Sequence, residues 1–504
     1  MIVGDRWGRN DRSAIATLAR VQTRHVVSIA SALAAGAWAA AALVREARFV
    51  DTRQDLGHFT QAVWSTAHGH FLQVTEVGGT NVSRLGIHVD PIVALFAPLW
   101  WLWPSPRLLL TVQAFALAAG AIPLYWLGRK HLRGERDAAL VAIAYLLSPN
   151  VAWGAVSDFH AVCLAVPLLL FAIWYLSEER LPLFALTAGA AMLCQEQIGL
   201  MVGCLGIWHA IRNRRFSVGI IIAAAGFSVS ALDFAVVLRH FSGGSPFAAR
   251  FVGGSPLKIV RDVFTQPLTI ARAVNEHDLL GALLTLPVLG TCFGSTILVA
   301  AAPQAALLLL SRHPDDWLGL NALLLVPFVY TAAVLALGRW QQAERARVRR
   351  PRAVHVFGAS LVIAALVGPF GAFGLTTAFP HESALSAQRR AVALIPAGAR
   401  VAATRHLALP LSARRYIYLF PVIKDADWVA VDSRDDMLPN VAYIRRRARI
   451  NVGVNEVYSQ PKLMSAELRT LRRSAKWRLV YDKDGIYVFR RSMTRFAQNV
   501  SVPK

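Results

Sequence analysis

Two carboxylates in this chain lie at positions where they could take part in proton transfer. Asp55 lies in the polar stretch Asp51–Trp64, and Glu196 lies between the apolar pairs Met192-Leu193 and Ile198-Gly199. A positioned carboxylate can act as a general base. Asp55 could instead cap the N-terminus of a helix, and Glu196 could serve only as a structural hydrogen-bonding group. The two positions alone leave both alternatives open.

Two further motifs place a histidine two residues from an aspartate. They are His88 with Asp90, and Asp158 with His160. Such a pair can hold a phosphate group or a metal ion, or it can be the solvated end of a loop. One histidine per motif is a weak metal signal, so the spacing favours the solvated loop end.

The elements that must position these residues are membrane helices. Of the 504 residues, 55% are apolar and only 16% are charged, and the mean hydropathy is +0.44. Soluble domains carry about 25% charged residues. Apolar blocks of roughly 18 or more residues indicate transmembrane helices. Such blocks are Val26–Val44, Leu108–Leu127, Val218–Leu238, Leu318–Leu337 and Val354–Phe373.

The net charge of +23 reflects membrane topology rather than nucleic-acid binding. The arginines cluster in short loops between apolar blocks, which is typical of cytoplasmic loops, and such loops attract anionic lipid headgroups. The loops Arg129–Arg133, Arg212–Arg215 and Arg339–Arg352 are therefore predicted to be cytoplasmic. The basic residues 1–25 are predicted to lie on the same side, and no nucleic-acid partner is expected.

Three ambiguous segments decide the number of spans. Pro91–Trp103 is too short to cross a bilayer and is expected to be re-entrant or interfacial. Leu183–His209 is divided into two short helices that meet at the polar vertex Gln195–Gln197, and Leu279–Leu310 is divided near Pro287. This threading predicts about 11 spanning helices. Because that number is odd, the C-terminus is predicted to lie on the external face.

The same threading brings the polar segments to the external face. Ionisable groups are costly within a membrane, so their convergence at one end predicts a functional opening there. Leu56, Phe59 and Val63 form one apolar stripe next to Trp64, and we expect an amphipathic helix lying on the outer membrane surface. The converging segments are Arg45–Asp90, Ser157–His160, Gln195–Gln197, His240–Asp278 and Ser311–Asp316.

The pattern of apolar and polar residues changes after about residue 375. Short strand-like runs alternate with helical stretches, which predicts a small α/β domain. The predicted organisation is a cytoplasmic N-terminus (1–25), a transmembrane domain (26–374) with a large first external loop (45–90), and an extracytoplasmic α/β domain (375–504). The strand-like runs are 401–403, 416–420, 428–431, and a hairpin of 477–481 with 485–489, and the helical stretches are 382–395 and 465–475.

Several of these motifs together resemble a bacterial family of predicted multi-pass membrane proteins of unknown function. The resemblance extends from about residue 45 to about residue 440, with Gln197 departing from the acidic residue expected after Glu196. The layout of that family is in turn similar to the GT-C glycosyltransferases. The motifs that carry the resemblance are Asp55-Leu56-Gly57-x-Phe59-x-Gln61-x-x-Trp64, Ala67-His68-Gly69, His88-x-x-Pro91, Asp158-Phe159-His160 and Glu196.

This resemblance implies an enzyme that moves a sugar from a polyprenyl-phosphate donor to an external glycan or protein acceptor. Asp55 would be the general base, and whether a divalent metal helps to bind the phosphate is left open. The implied protein is a multi-pass protein of the bacterial inner membrane that contacts membrane lipids. The candidate residues are Asp55 and Glu196 for catalysis, Arg53, His88 and His160 for the donor phosphate, and Asp90 and Asp158 as further members of the site.

The alternative is a non-enzymatic membrane protein, either a transporter of a lipid-linked substrate or a partner in cell-envelope assembly. Transporters commonly show inverted repeats and helices broken at the bilayer midplane. The sequence shows no clear repeat, and its candidate polar groups gather at one face. Both observations favour the enzyme.

Overall fold

The computed structural model describes residues 7–242, 256–268, 289–292, 295–310, 320–343, 352–372, 374–375, 384–439 and 457–492. Helices dominate these residues up to position 367, and strands are concentrated after position 400. Helices of eight or more residues are Trp7–Ala47, His58–Ala67, Arg107–Ala119, Ala121–His131, Glu135–Leu146, Pro149–Val156, Val162–Ser177, Leu181–Met192, Ile198–Asn213, Phe216–Leu232, Pro256–Thr265, Ala302–Leu309, Val326–Gln342, Ala353–Val367, Leu385–Ala393 and Pro461–Arg473.

Three continuous helical stretches within the described ranges are long and apolar enough to cross a membrane. They are Thr23–Ala47, Arg107–His131 and Phe216–Ser242. A fourth results if Glu135–Leu146 and Pro149–Val156, which meet at an angle of 47°, form one span. The remaining apolar helices are shorter, between 10 and 17 residues. The figure of about 11 spans therefore stays a prediction.

The first two long helices run antiparallel and define two ends of the bundle. At one end Arg107 Nε lies 3.0 Å from Glu46 Oε2. At the other end the Tyr125 hydroxyl lies 3.4 Å from Thr23 Oγ1. We call the first the loop end, because residues 48–106 lie there, and the second the basic end, because it carries the basic segment 129–133.

Two segments that the sequence marks as too short or too polar to span continuously meet at the loop end. Pro91–Trp100 forms short helical turns rather than a span. The helices Leu181–Met192 and Ile198–Asn213 are separated by residues 193–197, so the predicted break at Gln195–Gln197 is confirmed. The amide of Ile92 donates to the carbonyl of Leu193 at 3.1 Å, which joins the two irregular segments.

Small residues determine how closely the helix that follows this break packs against its neighbour. Helices Ile198–Asn213 and Phe216–Leu232 pack closely along their length. A Cβ added at Gly199 would come within 2.4 Å of the carbonyl oxygen of Gly226, so glycine is required by the close approach of the two backbones.

The first loop (45–90), which the sequence predicts to be external, is folded into the protein rather than spread on its surface. A π-helical turn, Arg53–Gly57, leads into the helix His58–Ala67, of which both the apolar and the polar residues are largely buried. The expectation of an amphipathic helix on the membrane surface is therefore wrong. The physical reason is that the polar face is also covered: Gln61 Nε2 donates to the carbonyls of Arg414 and Arg415 at 3.1 and 3.2 Å.

The C-terminal residues contain a five-stranded mixed sheet with strand order β4-β3-β5-β9-β8. β4 and β5 are parallel to β3, and β9 is antiparallel to both β5 and β8. A small hairpin, β1 with β2, belongs to the first external loop, and β6 pairs with β7. The strands are β1 (Gln73–Thr75), β2 (Asn81–Ser83), β3 (Val401–Ala403), β4 (Ile417–Leu419), β5 (Trp428–Asp432), β6 (Met437–Pro439), β7 (Val457–Ser459), β8 (Trp477–Lys483) and β9 (Ile486–Arg491).

Each face of this sheet is covered by a helix. On one face Val401 and Ala403 pack with the buried residues of Leu385–Ala393. On the other face Ala402 packs in a cluster that includes apolar residues of Pro461–Arg473. All the predicted strands of this region are present. The predicted boundary at residue 375 borders residues outside the described ranges, so it stays a prediction.

The α/β unit, by which we mean the described residues 384–439 and 457–492, sits on the loop end of the bundle. Arg389 Nη2 donates to the carbonyl of Ala47 at 3.1 Å. Asn81 Nδ2 donates to the carbonyl of Arg415 at 3.1 Å, and Phe49 is buried in the same apolar cluster as Val401. The first external loop is therefore enclosed between the helices and the sheet.

Candidate functional site

An ion pair between Asp55 and His160 forms the centre of the candidate site. Asp55 Oδ1 lies 3.3 Å from His160 Nε2. The other ring nitrogen, Nδ1, lies 3.0 Å from the carbonyl oxygen of Asp158, which can only accept a hydrogen bond. Both ring nitrogens therefore face acceptors, which indicates a doubly protonated imidazolium beside an ionised carboxylate.

The electrostatics of this pair favour its charged form. Burial by itself would raise the pKa of Asp55, but the His160 charge and hydrogen bond, with smaller contributions from His58 and Arg84, lower it. Burial would lower the pKa of His160, and the Asp55 carboxylate outweighs it and raises that pKa. The Asp55 side chain stays 42% exposed, so an ionised carboxylate remains accessible to a reactant.

The alternative role of Asp55 as a helix cap has no support in this geometry. Thr52 precedes the π-helical turn and Gly57 precedes the helix His58–Ala67, and neither position has a side-chain capping bond. Asp55 lies inside the turn, and its carboxylate points towards His160 rather than towards free backbone amides.

Two further carboxyl groups, those of Asp51 and Asp158, lie next to the pair formed by Asp55 and His160. Thr52 donates to Asp158 Oδ2 through its amide and its hydroxyl at 3.4 and 3.5 Å, and Arg45 Nη2 lies 3.4 Å from Asp51 Oδ1. Burial raises the pKa of Asp51 to about 6. Burial and the negative charges of Asp51 and Asp55 raise the pKa of Asp158 well above its usual range. The Asp51 carboxylate therefore raises the affinity of Asp158 for a proton.

Glu196 holds His88 in a second acid–histidine pair. Glu196 Oε1 lies 3.0 Å from His88 Nδ1, and Oε2 accepts from the amide of Val89 at 3.0 Å. Burial alone would raise the pKa of Glu196, but His88 and the Val89 amide lower it. Ser230 Oγ donates to the carbonyl of Glu196 at 2.6 Å. Glu196 is thus an anchored carboxylate that orients the ring of His88, which is 25% exposed.

A buried arginine connects the two acid–histidine pairs. Arg84 donates through Nε and Nη2 to Asp90 Oδ2 at 2.9 and 2.7 Å, and its guanidinium carbon lies 3.6 Å from the ring centroid of Phe59. Its charge lowers the pKa of Asp55. Burial raises the pKa of Asp90 despite the partly compensating charge of Arg84. Arg84 therefore supplies positive potential on both sides of the site.

Arg53 lies in the same turn as Asp55, but its hydrogen bonds are structural. Its side chain is 0% exposed, and Nη2 donates to the carbonyls of Thr75 and Ile417, the latter at 3.0 Å. Burial lowers its pKa to about 10, so it remains charged at neutral pH. The expected contact of Arg53 with a donor phosphate has no support in these surroundings, because the guanidinium joins the first external loop to β4 instead.

A metal ion at this site would be bound by His, Cys, Asp or Glu side chains. No group of three or more of them converges as a metal site within the part of the chain that the structure describes.

A family described as Predicted membrane protein (DUF2079) matches residues 45–488. The chain belongs to this family. The match covers the first external loop, the helical bundle and the α/β unit, so the family resemblance seen in the sequence motifs is confirmed. No curated protein matches this DUF2079 protein.

Solved structures extend the comparison to the fold. The DUF2079 protein is similar to ArnT from Cupriavidus metallidurans bound to undecaprenyl phosphate, with a TM-score of 0.52 and 11% identity over 93% of this chain and 98% of that one. The apo state of the same ArnT gives a TM-score of 0.47 and 12% identity over 90% and 96%. At this level of identity the likeness shows the fold alone: the chain has a mostly helical, ArnT-like fold.

All seven candidate residues of the DUF2079 sequence lie at the loop end, and six of them form two groups there. Asp55, His160 and Asp158 form one group, and His88, Glu196 and Asp90 form the other. The sequence motifs do not identify Arg84 as a site residue, although its position in the predicted external loop is informative. External loops are not enriched in arginine, so an arginine six residues before Asp90 in a predicted external loop needs a local partner.

Proposed function

We propose that this protein is a GT-C-like glycosyltransferase that moves a sugar from a polyprenyl-phosphate donor to an acceptor outside the cytoplasm. The observation that carries the proposal is the Asp55 carboxylate. It is kept ionised by His160 and remains 42% exposed, within a fold similar to that of an ArnT bound to undecaprenyl phosphate.

The proposed step is a single displacement at the anomeric carbon of the donor sugar. Asp55 accepts the proton of an acceptor hydroxyl as its oxygen attacks that carbon. The bond between the anomeric carbon and the phosphate oxygen breaks, and polyprenyl phosphate leaves with the bonding electron pair. Configuration at the anomeric carbon inverts.

His88 is the proposed hydrogen-bonding contact for the donor phosphate, and His160, whose two ring nitrogens already face Asp55 and the Asp158 carbonyl, is proposed to add positive charge beside it. His88 is oriented by Glu196 and His160 by the carbonyl of Asp158, and each retains about a quarter of its side-chain area exposed. A histidine N–H can donate a hydrogen bond to a phosphate oxygen. Arg84 adds positive potential without direct contact, because Asp90 already occupies its guanidinium.

The α/β unit is proposed to help present the acceptor. It reaches the site directly, since His406 Nδ1 lies 3.3 Å from the carbonyl of Asp51 and Arg405 is held by Asp435 at 2.9 Å. The lipid tail of the donor would lie among the apolar helices, and the acceptor would enter from the side of the sheet.

The test is Asp55→Asn in a deletion strain complemented with the full chain. We expect loss of transfer by about 100-fold or more, because asparagine cannot accept the proton. Lipid-linked sugars would accumulate and the glycan product would disappear, as in the deletion itself. Asp482→Asn, at an exposed acid of the β8–β9 hairpin paired with Arg472, is the matched control and should restore function.

Both variants must reach the membrane in normal amounts for this comparison. Full complementation by Asp55→Asn would remove the proposed base. The non-enzymatic alternative, transport or assembly, would then describe the protein better, because such a role places no demand on an ionised carboxylate at this position.

A further inference from the structure

A second site lies at the basic end, far along the bundle from Asp55. A cavity of about 390 Å³ opens there between helices. Its described lining includes Lys130, His131, His209, Arg212 and Arg339 and contains no aspartate or glutamate. A concave surface lined by lysine and arginine side chains and free of acidic side chains favours an anion.

Lys130, Arg212 and Arg339 supply the positive charge of this cavity. Lys130 Nζ lies 2.8 Å from Glu178 Oε1, so its charge is largely compensated. Arg212 and Arg339 lie at the exposed ends of two different helices, Ile198–Asn213 and Val326–Gln342. The two arginines approach the cavity from separate elements, a geometry that suits an anion held between helices.

The rest of the wall is suited to a lipid. Leu127, Ile173 and Leu205 line the cavity and belong to apolar helices of the bundle. Polar side chains such as Ser177 line the same space. The cavity therefore combines apolar side chains that suit an acyl chain with polar and basic side chains that suit a headgroup.

Aromatic residues place this cavity at the level of a membrane–water boundary. Trp208 lines it, and a neighbouring depression is lined by Trp126, Trp174, Tyr175 and the bases Arg129, Lys130 and Arg180. The rings of Trp126 and Trp174 lie 5.7 Å apart. Tryptophan and tyrosine are enriched where membrane helices meet the headgroups.

We propose that this cavity binds the phosphate headgroup of a membrane lipid, with its acyl chain along the apolar wall. Basic pockets between transmembrane helices on the cytoplasmic side bind anionic headgroups in this way. The site is separate from the proposed transferase centre and does not depend on sugar transfer.

Native mass spectrometry of the delipidated full chain tests the proposal with four probes. They are phosphatidylglycerol, phosphatidylcholine, undecaprenyl phosphate and inorganic phosphate. We expect phosphatidylglycerol, undecaprenyl phosphate or both to bind more tightly than phosphatidylcholine, and whichever binds identifies the lipid source. Displacement of the lipid by inorganic phosphate at comparable concentration would assign the site to free phosphate and overturn the lipid proposal.

The double variant Arg212→Gln with Arg339→Gln should weaken binding of the anionic lipid about 30-fold. The matched control is Arg136→Gln with Arg214→Gln, which removes two exposed arginines of the same end that do not line the cavity. The control should bind lipid normally. Equal weakening in both double variants would show a diffuse effect of surface charge and would overturn the assigned site.

Ser177→Phe provides a test that leaves the charge unchanged. Ser177 is half-buried and lines the cavity, so a phenyl ring there would occupy the space of the ligand. We expect weaker lipid binding at unchanged thermal stability. Undiminished lipid binding in Ser177→Phe would place the ligand elsewhere and contradict the proposal.

Discussion

The acid–base properties of Asp55 depend on one imidazole. Burial acts to raise the pKa of this carboxyl, and His160 is the largest of the influences that lower it. His160 is in turn oriented by a backbone carbonyl, that of Asp158. A base that relies on a neighbouring cation should reveal that reliance in its pH dependence.

His160→Gln should move the acidic limb of the activity profile to higher pH. Without the imidazolium, burial dominates and the pKa of Asp55 rises, so a larger fraction of Asp55 is protonated and inactive at any given pH below it. Activity should therefore be lost first at low pH and recover as the pH increases. A kcat/KM profile of the purified variant measures this, and a loss by the same factor at every pH would contradict the proposed coupling.

Glu196→Gln should weaken donor binding more than it slows the chemical step. The carboxylate accepts two hydrogen bonds, from His88 and from the amide of Val89, whereas an amide side chain has only one acceptor oxygen. One of the two donors is left facing an NH₂ group, and His88 loses its fixed orientation.

Hydrogen bonds to charged groups contribute about 1.5–3 kcal/mol, so we expect KM for the donor to rise about tenfold or more. The measurement is a donor titration with Glu178→Gln, at the basic end, as the control. An unchanged KM together with wild-type turnover would remove Glu196 from the site.

The sequence predicts the acids and histidines of the candidate site but not the surroundings of its arginines. Motif spacing singled out Asp55 and Glu196 before any contact was known. It could not show that Arg53 is used to join the loop to β4, because that contact spans 364 residues of sequence. Arg84 was missed for a related reason, since its hydrogen bonds to Asp90 depend on how the loop folds back.

At the scale of elements, the helix break at Glu196 is held in place by a glycine contact. A Cβ at Gly226 would come within 2.5 Å of both the Gly199 oxygen and the Gly203 nitrogen. Ser230, one turn further along the same helix, donates to the carbonyl of Glu196. Packing of these two helices therefore determines where the Glu196 carboxylate lies.

Gly226→Val should lower both the thermal stability and the activity of the protein. The added atoms force the two backbones apart, and overpacking of this kind costs about 1–3 kcal/mol. Gly189→Val is the matched control, because a Cβ at Gly189 meets nothing within 4 Å in its helix. Thermal unfolding of the two purified variants decides the point, and equal stability would show that the backbone contact is not limiting.

Local sequence patterns predict the elements of the α/β unit better than they predict the environment of the first loop. The β8–β9 hairpin was predicted from two strand-like runs around a polar turn, and Asp484 and Gly485 adopt the positive φ values of 51° and 77° that such a turn requires. The helix His58–Ala67 was expected on a membrane surface. Its apolar stripe was read correctly, but periodicity does not reveal that the α/β unit covers the polar face.

At the scale of the whole molecule, the two ends of the bundle differ in the charged residues they carry and in whether the α/β unit covers them. The loop end carries the paired acids and histidines beneath the α/β unit. The basic end carries the cation-lined cavity and the segment 129–133. Because cytoplasmic loops are enriched in lysine and arginine, this asymmetry supports the proposed orientation, with the basic end inside and the candidate site outside.

The orientation can be measured with single exposed cysteines on the complete chain. Ser386→Cys places a thiol on the α/β unit, and Asn213→Cys places one at the basic end, both at exposed positions. A membrane-impermeant maleimide applied to intact spheroplasts should label the first and not the second. After lysis both should react, and the unmodified chain, whose described cysteines are buried or half-buried, gives the background.

The reverse labelling pattern would remove the proposed function as well as the topology. Asp55 and Ser386 must lie on the same side, because Arg389 bonds to Ala47 and Arg53 bonds to Ile417 across the junction of loop and sheet. A cytoplasmic Ser386 would therefore bring Asp55 to the cytoplasm. An external acceptor could not reach a base in that position, and external transfer of a sugar would no longer be compatible with this fold.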